Sequence, residues 1–212
     1  MNTKPNVIIS NNFNFVAPFY ESLKKIVFGK QLKIAEQYFA GLIKSGDRVL
    51  IVGGGNGDIL NHIKSGCFID YIELSKAMIT NAAKQQYNGE IRMINEDFLS
   101  AKLEKKYDWI ITNFFLDVFN QAHLIKACEK LYLLLKDDGQ FIVTDFYPTN
   151  RIGGKILLKL MHVFFKLVSG LESNSLKNIP DFLLKTGFEA SQEKFWAHGK
   201  IFSFIFSKSR NL

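Results

Sequence analysis

Residues 49–58 read Val49-Leu50-Ile51-Val52-Gly53-Gly54-Gly55-Asn56-Gly57-Asp58. Four apolar residues run without a polar interruption into glycines at 53, 55 and 57, and Asp58 then opens a polar segment. A short, continuous apolar run of this kind is the signature of a strand buried on both faces, as in a parallel sheet. Glycines at its end let the chain turn sharply and bring backbone close to a ligand. The spacing separates two kinds of phosphate site. A dinucleotide fingerprint needs G-x-G-x-x-G, but counted from Gly53 the third glycine falls on Asp58, and from Gly55 on Leu60. A P-loop needs Gly-Lys-Ser/Thr, and none follows. A glycine cradle for pyrophosphate is therefore disfavoured.

Working outward, short apolar runs alternate with helix-length amphipathic ones. The expected strands are Arg48–Gly53, Cys67–Glu73, Ile91–Asn95, Asp108–Asn113 and Gln140–Phe146. Between them helices are expected at Asp58–Lys64, Ser75–Gln86 and Gln121–Lys136, the last stopping at Asp138-Gly139. Strand-like runs at Glu193–Ala197 and Lys200–Lys208, split by His198-Gly199, add an antiparallel hairpin. The expectation is an α/β, Rossmann-like, doubly wound sheet of seven strands, mostly parallel with an antiparallel C-terminal hairpin and helices on both faces. Ligands of such sheets sit at the carboxyl ends of the strands, near the switch in strand order.

The chain has 212 residues, 47% hydrophobic and 22% charged, enough for one domain with a sizeable core. No apolar stretch reaches the ~18–20 residues of a membrane span. The opening MNTKPNVIISNNFNF has a single lysine and no apolar h-region, so no secretory signal is expected. Cys67 and Cys128 stand apart with no metal-ligand spacing, which points to a reducing, cytoplasmic setting and no metal site. The net charge of +7 is uneven: +4 over residues 1–48, −3 over 49–150 and +6 over 151–212. The two ends are thus expected to form a basic face over a slightly acidic centre.

Glu73 ends the second expected strand, where a carboxylate can accept both ribose hydroxyls of a nucleoside. Asp97 and Phe98 follow the third, placed to take an adenine amino group and to lie against the ring. Glycines, Glu73 and the Asp97-Phe98 pair at three successive strand ends resemble the class I S-adenosylmethionine-dependent methyltransferases. Glu73-Leu74-Ser75, followed by Met78-Ile79, is similar to the family's acidic segment, which implies Leu74 and Met78 near adenine. Tyr107-Asp108 and Asn113-Phe114-Phe115-Leu116 resemble the fourth-strand motif beside the transferable methyl, implying a role for Asn113. The leading segment Asn14–Ala35, with Ala17-Pro18-Phe19-Tyr20, is similar to the small-molecule branch that includes ubiquinone and menaquinone biosynthesis enzymes. It implies Tyr20 at the cofactor. The cofactor implied is S-adenosylmethionine, held by Tyr20, Gly53, Gly55, Gly57, Glu73, Leu74, Met78, Asp97, Phe98 and Asn113. Ile51 departs from the family, which usually carries an acid there; an acid restored at this strand end is expected to be tolerated. Gly54 fills a slot usually held by Cys, Ser or Ala and is expected to be without effect.

The division expected within the single domain is a helical cap (1–45), a cofactor-binding core (46–150), a substrate lid (151–190) and a terminal hairpin (191–212). In-line transfer from a sulfonium needs alignment more than acid–base help. His162, Asp117 and Tyr147 are the candidates for a base if the acceptor must lose a proton. Within 154–168, Lys155, Lys159, His162 and Lys166 form one narrow stripe on an otherwise apolar helical cylinder. That pattern suits a lid over a hydrophobic or lipid-like acceptor, with peripheral membrane contact through the lysines. An RNA methyltransferase is the alternative enzyme, although no RNA-binding module is evident and nucleic acid is not the expected partner. A cofactor-binding regulatory subunit is the other alternative. The oligomeric state is left open.

Overall fold

The computed structural model describes residues 30–148 and 177–209. Tyr20, His162 and the apolar run 154–168 lie outside the described residues. The strands are β1 Arg48–Val52, β2 Phe68–Ile72, β3 Glu90–Ile94, β4 Tyr107–Asn113, β5 Leu135–Phe146, β6 Phe188–Trp196 and β7 Ile201–Lys208. They form one sheet in the order β3-β2-β1-β4-β5-β7-β6. β1 to β5 are parallel, while β7 runs antiparallel to β5 and β6 antiparallel to β7. The chain winds from β1 outward to β3, then returns to β4 on the other side of β1. The switch in strand order thus falls between the carboxyl ends of β1 and β4.

Alternation along β1 divides the core between the two faces. Leu50 and Val52 join α3 (Gln121–Leu134) and α4 (Ile179–Lys185) through Leu124, Leu131 and Leu183. Val49 and Ile51 join the layer that includes Ile43, Ile59, Leu60 and, from α2 (Lys76–Ala82), Ile79 and Ala82. α1 (Gln31–Gln37) packs Leu32 and Ala35 against Phe146 and Ile201.

Local signals moved several boundaries. The helix expected after the glycines is one short 3₁₀ segment, Asp58–His62. Ser75 caps α2 by accepting from Met78 N–H at 3.3 Å, so that helix starts at Lys76 and ends at Ala82. α3 ends at Leu134 rather than at Asp138-Gly139, because Leu135 already pairs with Tyr107 in the sheet. The register shift between Tyr107 and Trp109 absorbs Asp137 and Asp138, and Lys136 Nζ reaches Asp108 at 2.6 Å across the same pair of strands. β6 begins at Phe188, five residues before the expected Glu193. It is an edge strand exposed over most of its length, so it lacks the apolar alternation that marks a half-buried strand. Among the described residues no helix is long and apolar enough to cross a membrane.

Candidate functional site

The loop after β1 is held from β2. Gly53 N–H donates to Ile72 O at 2.9 Å, carrying the parallel ladder past the last strand residue. Gly55 takes φ +62°, a left-handed conformation that L side chains rarely adopt, and the space where its Cβ would stand is open. Its N–H donates to Glu73 Oε2 at 3.0 Å, and Ser75 N–H donates to Glu73 Oε1 at 2.8 Å. Burial pushes the Glu73 carboxyl above the usual carboxylate range, against the pull of those backbone donors. The Asn95 side chain donates to the carbonyls of Glu73 and Leu74 at 2.8 and 2.9 Å, tying the end of β3 to the end of β2.

Around this centre Asp97 is exposed and accepts from Leu99 N–H at 3.0 Å. Leu74 is 70% exposed and Met78 half-buried. Phe98 is not an open platform: its ring is buried in the core, edge-on to Phe115, with Lys130 Nζ 4.9 Å from the ring centroid. Ile51 is not a strand-end surface residue either. It is 1% exposed inside the core layer and pairs with Tyr71 and Ile111, so a carboxylate there would lie among apolar side chains. Nor is Gly54 without consequence, since a Cβ on it would overlap the Tyr71 ring and hydroxyl.

The turn after β4 borders the same space. A Cβ on Gly53 would run into the ring of Phe115. Phe115 continues edge-on to Phe119, with centroids 5.0 Å apart. Phe114 adopts φ +51°, a strained state for an aromatic residue, with its N–H on Thr144 O at 2.8 Å. Asn113 Nδ2 donates to Glu36 O at 3.3 Å, and its buried Oδ1 has no partner among the described residues. Asp145, fully buried at the end of β5, accepts from the N–H groups of Leu116 (3.1 Å), Asp117 (3.2 Å) and Phe146 (2.8 Å). Asp117 stands beside it, its carboxyl pushed up to about 6 by burial and drawn back by Lys177. Asp145 is likewise raised well above the usual carboxylate range, by burial and by the neighbouring Asp117, so the two titrate as a pair. Tyr147 is half-buried against Phe195 and Phe202.

Residues 50–141 match the model of a methyltransferase domain. The Methanocaldococcus jannaschii protein "Uncharacterized protein MJ1252" is 33% identical over 201 residues, covering 85% of this chain and 76% of the relative. Residues 50–141 are thus a methyltransferase domain, on the fold of the S-adenosylmethionine-dependent methyltransferases. The malonyl-[acyl-carrier protein] O-methyltransferase of Priestia megaterium is 25% identical over 142 residues, 66% of this chain and 51% of that enzyme. The fold matches a Burkholderia thailandensis 1,6-didemethyltoxoflavin-N1-methyltransferase solved with S-adenosylhomocysteine. That match has a TM-score of 0.67 at 12% identity, over 93% of this chain and 87% of that one.

The cofactor of this methyltransferase is S-adenosylmethionine, and the donor set suits it. Glu73 has accepting capacity beyond the amides of Gly55, Ser75 and Leu74, since a carboxylate offers about four lone-pair sites. Asn113 Oδ1, which has no partner among the described residues, can accept from an ammonium, and the open side of Gly55 admits close approach. Sequence reasoning missed Asn95, Asp145 and Tyr71. Asn95 stands beside Glu96-Asp97 and reads as one more polar loop residue. Asp145 and Tyr71 sit within apolar strands, and only the topology reveals what they touch.

Proposed function

We propose that this methyltransferase transfers the methyl group of S-adenosylmethionine to a small, apolar acceptor held over the carboxyl ends of β1 and β4. The observation that carries the reading is the Glu73 carboxylate, fixed at the strand end by Gly55 N–H and Ser75 N–H with lone pairs left over. In this reading Glu73 takes the ribose hydroxyls, and Gly53, Gly55 and Gly57 let the backbone approach the cofactor. Asp97 takes the adenine amino group between Leu74 and Met78, and Phe98 backs Phe115 from within the core. Asn113 Oδ1 receives the ammonium of the methionine end. Tyr20 completes the set from the leading segment. The bound cofactor supplies a methyl group already activated by its sulfonium.

The protein's work is then to align the acceptor and to keep water out. The Phe98–Phe115–Phe119 row gives the acceptor side an apolar wall. Where the acceptor must lose a proton, Asp117 is the residue to take it, since its carboxyl ionises at about pH 6, closer to neutrality than an ordinary aspartate. Tyr147 and His162 are the alternatives for this role. The apolar acceptor follows from the 154–168 pattern as a lid and from the resemblance to quinone-biosynthesis enzymes. Cytoplasmic placement and peripheral contact of the lysine stripe with a membrane belong to the same reading.

The test is transfer of label from methyl-tritiated S-adenosylmethionine to a panel of quinols, phenols, long-chain carboxylic acids and an RNA transcript. Label in an organic-extractable product is expected. Label confined to RNA would replace the acceptor, and cofactor binding without transfer to any of them would favour a regulatory subunit.

A further inference from the structure

Of the four glycines Gly53, Gly54, Gly55 and Gly57, only Gly54 lacks a positive φ. Its φ makes no demand for glycine, so the demand there is one of room. The room is taken by Tyr71, whose ring and hydroxyl lie where a Gly54 Cβ would be. Tyr71 is 0% exposed and sits on β2 directly across from Ile51 on β1. Its hydroxyl donates to Gly55 O at 3.0 Å, with the Gly57 amide also beside it. Two residues further on, just past the end of that strand, Glu73 holds Gly55 by its N–H. Gly55 is therefore gripped on both sides, carbonyl and amide, by side chains from β2 and the residue that follows it. Ile51 leaves β1 with no polar group beneath the loop, and the phenol supplies one from its neighbour. A wholly buried side chain has no route to a ligand, so its influence runs through the loop.

We propose that Tyr71 is a positioning residue of the cofactor site, its phenol propping the glycine loop from below and setting Gly55 opposite Glu73. The inference rests on the cofactor site proposed above and adds the internal support that shapes it. Glycine at 54 and tyrosine at 71 form a matched pair, because a side chain at 54 displaces the ring and loss of the hydroxyl frees the loop. Burial and the nearby Glu73 and Asp58 charges raise the phenol's pKa, so it remains a donor throughout the neutral range.

Tyr71→Phe keeps the ring and removes only the hydroxyl, which makes it the informative variant. Calorimetric titration with S-adenosylhomocysteine is expected to show a Kd five- to twentyfold higher than for the wild-type protein. The unliganded melting temperature should stay within a few degrees, and amide exchange at Gly55 and Gly57 should quicken. Gly54→Ala keeps the phenol but crowds the ring and is expected to lose affinity as well, which provides an independent route if Tyr71→Phe fails to fold. A Tyr71→Phe protein that binds within twofold of wild type, with unchanged exchange in the loop, overturns the inference alone. Absence of binding by the wild-type protein overturns the cofactor site itself, and this inference with it.

Discussion

The loop after β1 and the turn after β4 lie at the same end of the sheet and are built on one device. In each, a carboxylate from the neighbouring outer strand pins backbone amides: Glu73 on the β1 side, Asp145 on the β4 side. They differ in how far that carboxyl is enclosed. Asp145 is fully buried and takes three backbone N–H groups, and aromatic side chains fill the turn around it. Glu73 is half-buried, accepts from Gly55 and Ser75, and faces a glycine loop with open space beside Gly55. A carboxyl walled in by its own chain braces the fold, whereas one that borders open space can hold a ligand. Enclosure thus separates two residues that look alike in sequence.

The largest expected effect lies under the first loop. Ile51→Asp puts a carboxylate among the apolar side chains of the core layer, and should destabilise by about 4 kcal/mol in urea unfolding. A melting temperature equal to wild type would mean that the loop can take polar support from β1 as well as from Tyr71. Next, Asp145→Ala strands three amides and should cost about 3 kcal/mol, since each unsatisfied buried group costs on the order of 1–3 kcal/mol. Glu73→Ala in the unliganded protein should cost under about 1 kcal/mol by the same measurement. Equal losses at the two positions would break the comparison.

A smaller effect separates the two by pH. Asp117 holds its proton to about pH 6 in the folded protein, against an ordinary value of 3.8. A folded-state pKa raised in this way stabilises most below the unfolded value and loses that contribution as pH rises through the folded one. Stability should therefore fall by about 1 kcal/mol or more between pH 5 and 8. Asp117→Asn should flatten that slope in thermal melts, and an unaltered slope would remove the raised Asp117 carboxyl from the account.

Much of the sheet was legible. RVLIV, FIDYI and YDWIITN are rich in buried β-branched and aromatic residues, and the glycines at 53, 55 and 57 end the first of these runs wherever the chain is read. Glu73 was legible because it follows an apolar strand and stands two residues before a capping serine. Tyr71 was not, because within an apolar strand it reads as one more core residue, and its hydroxyl finds Gly55 only once β1 and β2 are paired. Ile51 misled in the opposite direction, since its place beside the glycines suggested a strand end while alternation turns its side chain into the core. The start of β5 at Leu135 escaped notice because the bulge places charged Asp137 and Asp138 inside a strand. β6 escaped because an exposed edge imposes no hydrophobic period.

The contrast between the two carboxylates rests most heavily on Glu73. Titration of wild-type and Glu73→Ala proteins with S-adenosylhomocysteine in a calorimeter tests it most directly. Hydrogen bonds to a charged acceptor are worth about 1.5–3 kcal/mol each, so the variant's Kd should rise at least tenfold. Its unliganded melting temperature should remain close to wild type. An unchanged Kd would contradict the account, because the spare lone pairs of Glu73 would then have no ligand to hold.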